Sequence, residues 1–107
     1  MYIYLIWERE FWSQNINIYK IGKSKQENCR RLQAYPKGSR LIMIITVEHV
    51  DQTELELINI FKQKFIQRSD IGKEYFQGDC KSMIDIISKY AVAPKNIIKK
   101  NIKNQDN

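Results

Sequence analysis

Two short tyrosine-bearing segments, Tyr2-Ile3-Tyr4 and Tyr19-Lys20-Ile21-Gly22, the second running directly into Lys23, concentrate the groups of this chain that could do chemistry. Phenols donate and accept protons, and an ammonium group stabilises developing negative charge. Two apolar strands that each carry a phenol, one ending on glycine and lysine, can therefore aim several donors at one point. Each segment alone carries little weight, because Tyr and Ile are favoured in any strand. Arg30 and Arg31 follow on a predicted helix, where a guanidinium could hold a phosphate through two parallel hydrogen bonds; arginines in such places are also commonly only solvated.

Glu54 is the acidic residue with the sharpest positional argument. At 100° per residue it shares a helix face with Ile58, Phe61 and Phe65, whereas Glu56 points roughly the other way. A carboxylate facing a core must be paired, hydrogen-bonded or bound to a cation, and a hard divalent ion often takes only one or two protein carboxylates. The competing reading makes Glu54 the third residue of a capping box that begins at Asp51, its side chain reaching back to the Asp51 backbone.

The elements that must position these groups can be read from periodicity and punctuation. Tyr2 to Trp7 is a continuous apolar run suited to a buried strand, and Ile16 to Gly22 is a second. Glu8 to Asn15 connects them. Ser24 with Glu27 reads as a capping box opening a helix to about Ala34, where Pro36 and Gly38 force a turn. Leu41 to Val47 is a third strand. Leu57, Ile58, Phe61 and Phe65 mark a second helix, Gly72 to Phe76 a short edge strand, and Asp79 caps a last helix with Met83, Ile86, Ile87 and Tyr90 on one side. The order is β-β-α-β-α-(β)-α: an α+β fold with a small antiparallel or mixed three-stranded sheet flanked by helices.

A chain of 107 residues suits one domain with one core, here expected over 1–93, followed by a basic, flexible tail over 94–107. The net charge is +6, and the tail contributes four lysines against Asp106. Such a balance suits a polyanion such as nucleic acid, although a merely solubilising surface would give the same number. Lys20, Lys25, Arg30, Lys37 and Arg40 are the candidate nucleic-acid contacts, and Trp7, Phe11 and Trp12 are candidate stacking partners for unpaired bases. The chain contains no apolar run long enough to span a bilayer and no secretory signal pattern, so a soluble, intracellular protein with no membrane partner is expected. Cys29, Cys80 and His49 lack the spacing of a zinc site.

Together these residues resemble the GIY-YIG nuclease superfamily, in particular its phage and giant-virus branch of small stand-alone domains, over roughly Tyr2 to Asp79. Tyr2-Ile3-Tyr4 corresponds to the first motif and Tyr19-Lys20-Ile21-Gly22 to the second, with an extra residue; Tyr2 replaces the glycine of the first motif, and the late asparagine of other members has no counterpart. Glu74-Tyr75-Phe76 resembles a Glu-aromatic-Phe signature of the viral branch.

The resemblance implies metal-dependent hydrolysis of DNA phosphodiester bonds by a viral protein acting in the host cell. It implies Tyr4 and Tyr19 as catalytic tyrosines, Lys23 as their electrostatic support and Arg31 (or Arg30) as the phosphate stabiliser. Glu54 (or Glu56) would be the ligand of Mg²⁺ or Mn²⁺. Stacking of unpaired bases on Trp7, Phe11 and Trp12 would favour branched or single-stranded DNA. A basic module of the same fold that binds nucleic acid without cutting it is the alternative.

Overall fold

A computed structural model of the chain describes residues 1–25 and 35–92, with side chains described as far as residue 89. Its elements are β1 (Tyr2–Trp7), α1 (Arg9–Trp12), β2 (Ile18–Ser24), β3 (Arg40–Thr46), α2 (Val50–Lys64), β4 (Ile66–Gln67), β5 (Tyr75–Gln77) and α3 (Cys80–Val92). The strands form one five-stranded sheet in the order β3-β1-β2-β5-β4, every neighbouring pair antiparallel. The α+β class holds. The sheet is two strands wider than the sequence pattern indicates, because the 66–77 segment folds back as a hairpin on the free edge of β2.

β1 lies between β3 and β2, and its four central residues are buried on both faces. A central strand covered on both sides has no reason to alternate, which explains its unbroken apolar run. On one face Ile3, Leu5, Tyr19, Ile21 and Phe76 meet Val50, Leu57 and Phe61 of α2 and Met83 and Ile87 of α3 in a single core. Phe61 is fully buried at its centre, its ring edge-on to Phe65 at 5.0 Å and to Phe76 at 5.3 Å.

Some local expectations change. Glu8 to Asn15 contains a helical turn, α1, whose N-cap Glu8 makes no side-chain cap bond because its carboxylate accepts the Tyr75 hydroxyl at 2.9 and 3.1 Å. Asn15 closes that turn at φ +57°, a left-handed conformation that Asn tolerates. The 72–76 segment is not an edge strand: its C-terminal part is β5, inside the sheet, and the two-residue β4 forms the edge. Arg68 ties this hairpin together, its guanidinium forked onto Asp70 at 2.9 and 2.7 Å and bonded to Gln77 at 3.0 Å.

The cap of α3 is as expected, with the Asp79 carboxylate accepting from the Ser82 N–H at 3.0 Å and the Ser82 hydroxyl at 2.9 Å. Of the helix predicted over 24–34, Ser24 is not a cap but the last residue of β2, whose pairing with β1 runs to it; residues 26–34, Cys29 among them, and the tail over 94–107 lie outside the described residues.

Phe61→Ala should cost about 3–5 kcal/mol, the usual loss for a buried aromatic. Against a total stability of about 5–15 kcal/mol for a domain of this kind, urea denaturation should find the variant marginally folded.

Candidate active site

The position of every site residue follows from the phase of β2. Side chains alternate faces along a strand, and β1 pairs with β2 so that Tyr4 faces Gly22 and Ile6 faces Lys20. Tyr4, Gly22 and Lys20 therefore share the face opposite the α2/α3 core, while Tyr19 and Ile21 belong to that core. A Cβ on Gly22 would lie 2.5 Å from Cζ and 2.6 Å from the hydroxyl of Tyr4, so the tyrosine ring lies directly against the glycine backbone. Tyr4 is 1% exposed, and its hydroxyl is 2.8 Å from that of Tyr35, either of which can be the donor. The two rings meet edge-on at 6.0 Å.

Lys20 stands beside this pair. Its ammonium lies 4.9 Å from the centre of the Tyr35 ring and 5.7 Å from that of Tyr75, and 3.9 Å from the Glu74 carboxylate. β5 pairs with β2 only from Ile18 to Lys20, so among the described residues the edge of β2 beyond Lys20 carries one backbone bond, from the Ile21 N–H to the Glu74 carbonyl. Lys23, in phase with Ile21, lies on the α2 face of the sheet, the opposite face from Tyr4 and Lys20, and meets Glu54 there. The Lys23 ammonium is 2.9 Å from Asp51 and 3.4 Å from Glu54, and Lys25 is 3.1 Å from the other oxygen of Asp51.

Glu54 is 7% exposed, and its Oε2 is buried without a hydrogen-bond partner among the described residues. α2 begins at Val50 with His49 as its N-cap, so Asp51 is already inside the helix and the capping-box reading of Glu54 does not hold. Burial pushes the Glu54 carboxyl above the ordinary glutamate range; Lys23 opposes that shift, and Glu74 is near enough to add to it. Lys23 is held protonated, its pKa raised chiefly by its bond to Asp51. Glu56 turns away and accepts from Gln52 at 2.9 Å.

Tyr19 is not part of this constellation. Its ring lies 5.2 Å from that of Trp7, inside the core, and burial, with the Cys80 thiol beside its hydroxyl, pushes its pKa up to about 12. A tyrosine base needs neighbouring positive charge, and the groups that act on Tyr19 are a thiol and the Asp79 carboxylate. Lys20 takes the position on the Tyr4 face that the sequence reading gave to Tyr19. Counting two residues back from Gly22 would have found it. Nothing in the spacing marks Tyr35, which reaches Tyr4 across 31 residues.

Arg30 and Arg31 lie outside the described residues. Of the candidate nucleic-acid contacts, Lys20 and Lys25 are ion-paired as above, whereas Lys37 and Arg40 are exposed, with no carboxylate partner among the described residues. Among the described residues no three His, Cys, Asp or Glu side chains are grouped as a metal cluster, so Glu54 is a single-carboxylate candidate. No helix among them is long and apolar enough to cross a membrane.

Residues 1–91 match the model of the T5orf172 domain. The chain belongs to the T5orf172 domain family. That family is a phage-associated, nuclease-like domain. The match covers β1 to α3 and so every site residue described above. No curated protein and no solved structure matches the chain.

Gly22→Ala forces the Tyr4 ring aside and should cost about 1–3 kcal/mol, the usual range for overpacking. In a Tyr4→Ala background the same substitution should cost less than about 0.5 kcal/mol, because the two changes share one contact; a denaturant double-mutant cycle reads the difference. A raised carboxyl pKa means that the folded state binds more protons than the unfolded one, so ionised Glu54 lowers stability as pH rises through the window above its unfolded value. Glu54→Gln should therefore gain stability relative to the parent from acid to neutral pH, and parallel melting curves would show that dependence absent if burial did not govern the group.

Proposed function

We propose that this T5orf172 domain is a metal-dependent endonuclease of GIY-YIG type that hydrolyses DNA phosphodiester bonds. The observation that carries the reading is Glu54 Oε2: a carboxylate oxygen buried without a partner among the described residues, beside Lys23, in a nuclease-like domain. A natural protein does not keep such an atom unsatisfied for stability, since an uncompensated buried polar group costs about 1–3 kcal/mol. Its donor chemistry, one hard oxygen, suits Mg²⁺ or Mn²⁺, which usually retain several waters and need few protein ligands. A divalent cation held there would polarise a phosphoryl oxygen and acidify a bound water.

The remaining roles belong to the chain's own groups. Lys23, kept protonated by Asp51, neutralises charge accumulating on the phosphoryl oxygens and holds Glu54 Oε1. Lys20 brings a second ammonium, this one on the Tyr4 face, steadied by two tyrosine rings and Glu74. Tyr4 is the proton acceptor for the attacking water. An isolated phenol ionises near pH 10, so Tyr4 would take that proton as a phenolate, stabilised by the nearby Lys20 ammonium and by a hydrogen bond donated from the Tyr35 hydroxyl at 2.8 Å. Tyr19 has a packing role in this scheme. Arg31 keeps the phosphate-stabilising role implied by the GIY-YIG resemblance.

The test is nicking of supercoiled plasmid with and without Mg²⁺ or Mn²⁺ by the parent, Tyr4→Phe, Lys20→Met, Glu54→Gln and Tyr19→Phe proteins. Tyr4→Phe, Lys20→Met and Glu54→Gln should each lower the cleavage rate by about a hundredfold or more, the scale for losing one stabilising group, while Tyr19→Phe stays within a few-fold. Binding without cleavage by the parent under every metal condition would make the domain a nucleic-acid-binding module instead. Activity that survives in Glu54→Gln would remove the metal-site assignment.

A further inference from the structure

Some cations of the described residues are ion-paired and others are not; Lys62, Lys64, Lys73, Lys81 and Lys89 are scattered and unpaired, whereas three further unpaired cations are gathered. Lys20, Lys23, Lys25 and Arg68 all face carboxylates. Arg9, Lys37 and Arg40 are exposed and have no carboxylate within ion-pair distance among the described residues, although they surround a single turn. Gly38, at φ +95°, forms that turn, and the Arg9 side-chain stem passes 3.4 Å from where its Cβ would be. The Arg9 N–H donates to the Ser39 hydroxyl at 3.1 Å. Trp12 donates its indole N–H to the Gly38 carbonyl at 2.6 Å and holds the Arg40 guanidinium 3.9 Å from its ring centre. A guanidinium stacked in this way is oriented in advance, and its N–H fork remains available to an oxyanion.

Beside these cations lies a cavity of about 420 Å³ lined by Ile6, Tyr35, Pro36, Lys37, Gly38, Ser39 and Leu41. Leu41 is 44% exposed and Pro36 partly so, which gives the cavity an apolar floor that nothing among the described residues covers. Tyr35 belongs both to this wall and to the Tyr4 hydroxyl pair, so the cavity adjoins the candidate active site. An apolar floor rimmed by unpaired cations matches one kind of occupant, a flat apolar ring joined to phosphates. A duplex keeps its bases inside the stack, so only an unpaired nucleotide can offer both.

We propose that this cavity is a subsite for an unpaired nucleotide of the DNA substrate, its base on Ile6, Pro36 and Leu41 and its phosphates against Arg9, Lys37 and Arg40. The inference rests on the nucleic-acid reading above and deepens it by specifying a single-stranded arm or flap next to the bond that is cut. It also selects among the aromatic candidates. Trp7 is committed to the core, with its indole N–H on the Ile16 carbonyl at 2.8 Å, and Phe11 packs edge-on to Tyr75 at 6.3 Å, which leaves Trp12 at the nucleic-acid surface.

The experiment measures anisotropy of a labelled oligothymidylate and of a duplex of equal length, both in EDTA so that cleavage plays no part. The parent should bind the single strand more tightly. Leu41→Ser should weaken single-strand binding about tenfold, within the range for losing one base contact, and leave the salt slope unchanged. Lys37→Gln and Arg40→Gln should each reduce that slope by about 0.7 to 0.9. Trp12 emission should change on adding the single strand, a signal lost in Trp12→Phe. Melting curves establish that each variant is folded. Equal affinity for both DNAs, or folded Leu41→Ser and Arg40→Gln proteins that bind as the parent does, would overturn the subsite even if plasmid nicking succeeds. Single-strand binding with these sensitivities but no nicking would leave the subsite standing and remove only the nuclease reading.

Discussion

The close approach of Tyr4 to the backbone of Gly22 is the contact on which the site depends. Two adjacent antiparallel strands give room for a phenol to lie flat over its cross-strand neighbour only when that neighbour has no side chain, and here a Cβ would fall well inside the tyrosine ring's van der Waals surface. This contact fixes where the Tyr4 hydroxyl ends, and therefore where Tyr35 must come to meet it. It also sets the phase of β2. With Gly22 under Tyr4, alternation sends Lys20 to the same face and Tyr19 and Ile21 into the core. A single-residue slip would exchange every one of these assignments.

That phase explains what could be read from the chain and what could not. The buried runs of β1 and β2, the Leu57 and Phe61 stripe of α2 and the Asp79 cap of α3 follow from short-range periodicity and side-chain chemistry, and the structure has them where those rules put them. Tyr19 was misplaced because a tyrosine draws attention by its type, whereas the face it occupies depends only on counting from Gly22. The start of α2 was misplaced for a related reason: an acidic residue three positions before another resembles a capping box, but the helix begins at Val50 without side-chain capping, and Asp51 is spent on Lys23 and Lys25. Tyr35, the β4–β5 hairpin and the Glu8 to Tyr75 bond depend on pairings between distant parts of the chain, for which single-sequence spacing holds no signal.

Glu54 shows how stability and activity part at such a site. It sits on the buried stripe of α2, in a position where Leu or Met would serve the core better, and one of its oxygens has no partner among the described residues. Lys23 offsets part of the cost, yet burial still dominates the carboxyl's ionisation. A buried pair of this kind is weak as a source of stability. It is well suited to a group that must wait, charged and oriented, for a cation or a phosphate. The rigid core beneath it, with Leu57 and Phe61 fully buried on the same helix, supplies the stability that Glu54 does not.

The distribution of positive charge extends the same logic to the surface. At the candidate active site, cations are held by carboxylates, which fixes their positions and limits their reach into solvent: Lys23 between Asp51 and Glu54, Lys20 beside Glu74. Around the Gly38 turn, Arg9, Lys37 and Arg40 face no carboxylate among the described residues, and Arg40 is steadied by the neutral face of Trp12. Paired cations are pre-organised for a transition state, and unpaired ones are available for a ground-state polyanion. Tyr35 joins the two regions, with its hydroxyl on Tyr4 and its side chain in the cavity wall, so a strand anchored at the turn would be led toward the tyrosine pair and the lysines beyond it. Binding energy gathered at the turn can then serve the chemistry next to it, which is how a domain with so small a surface can both hold a substrate and act on it.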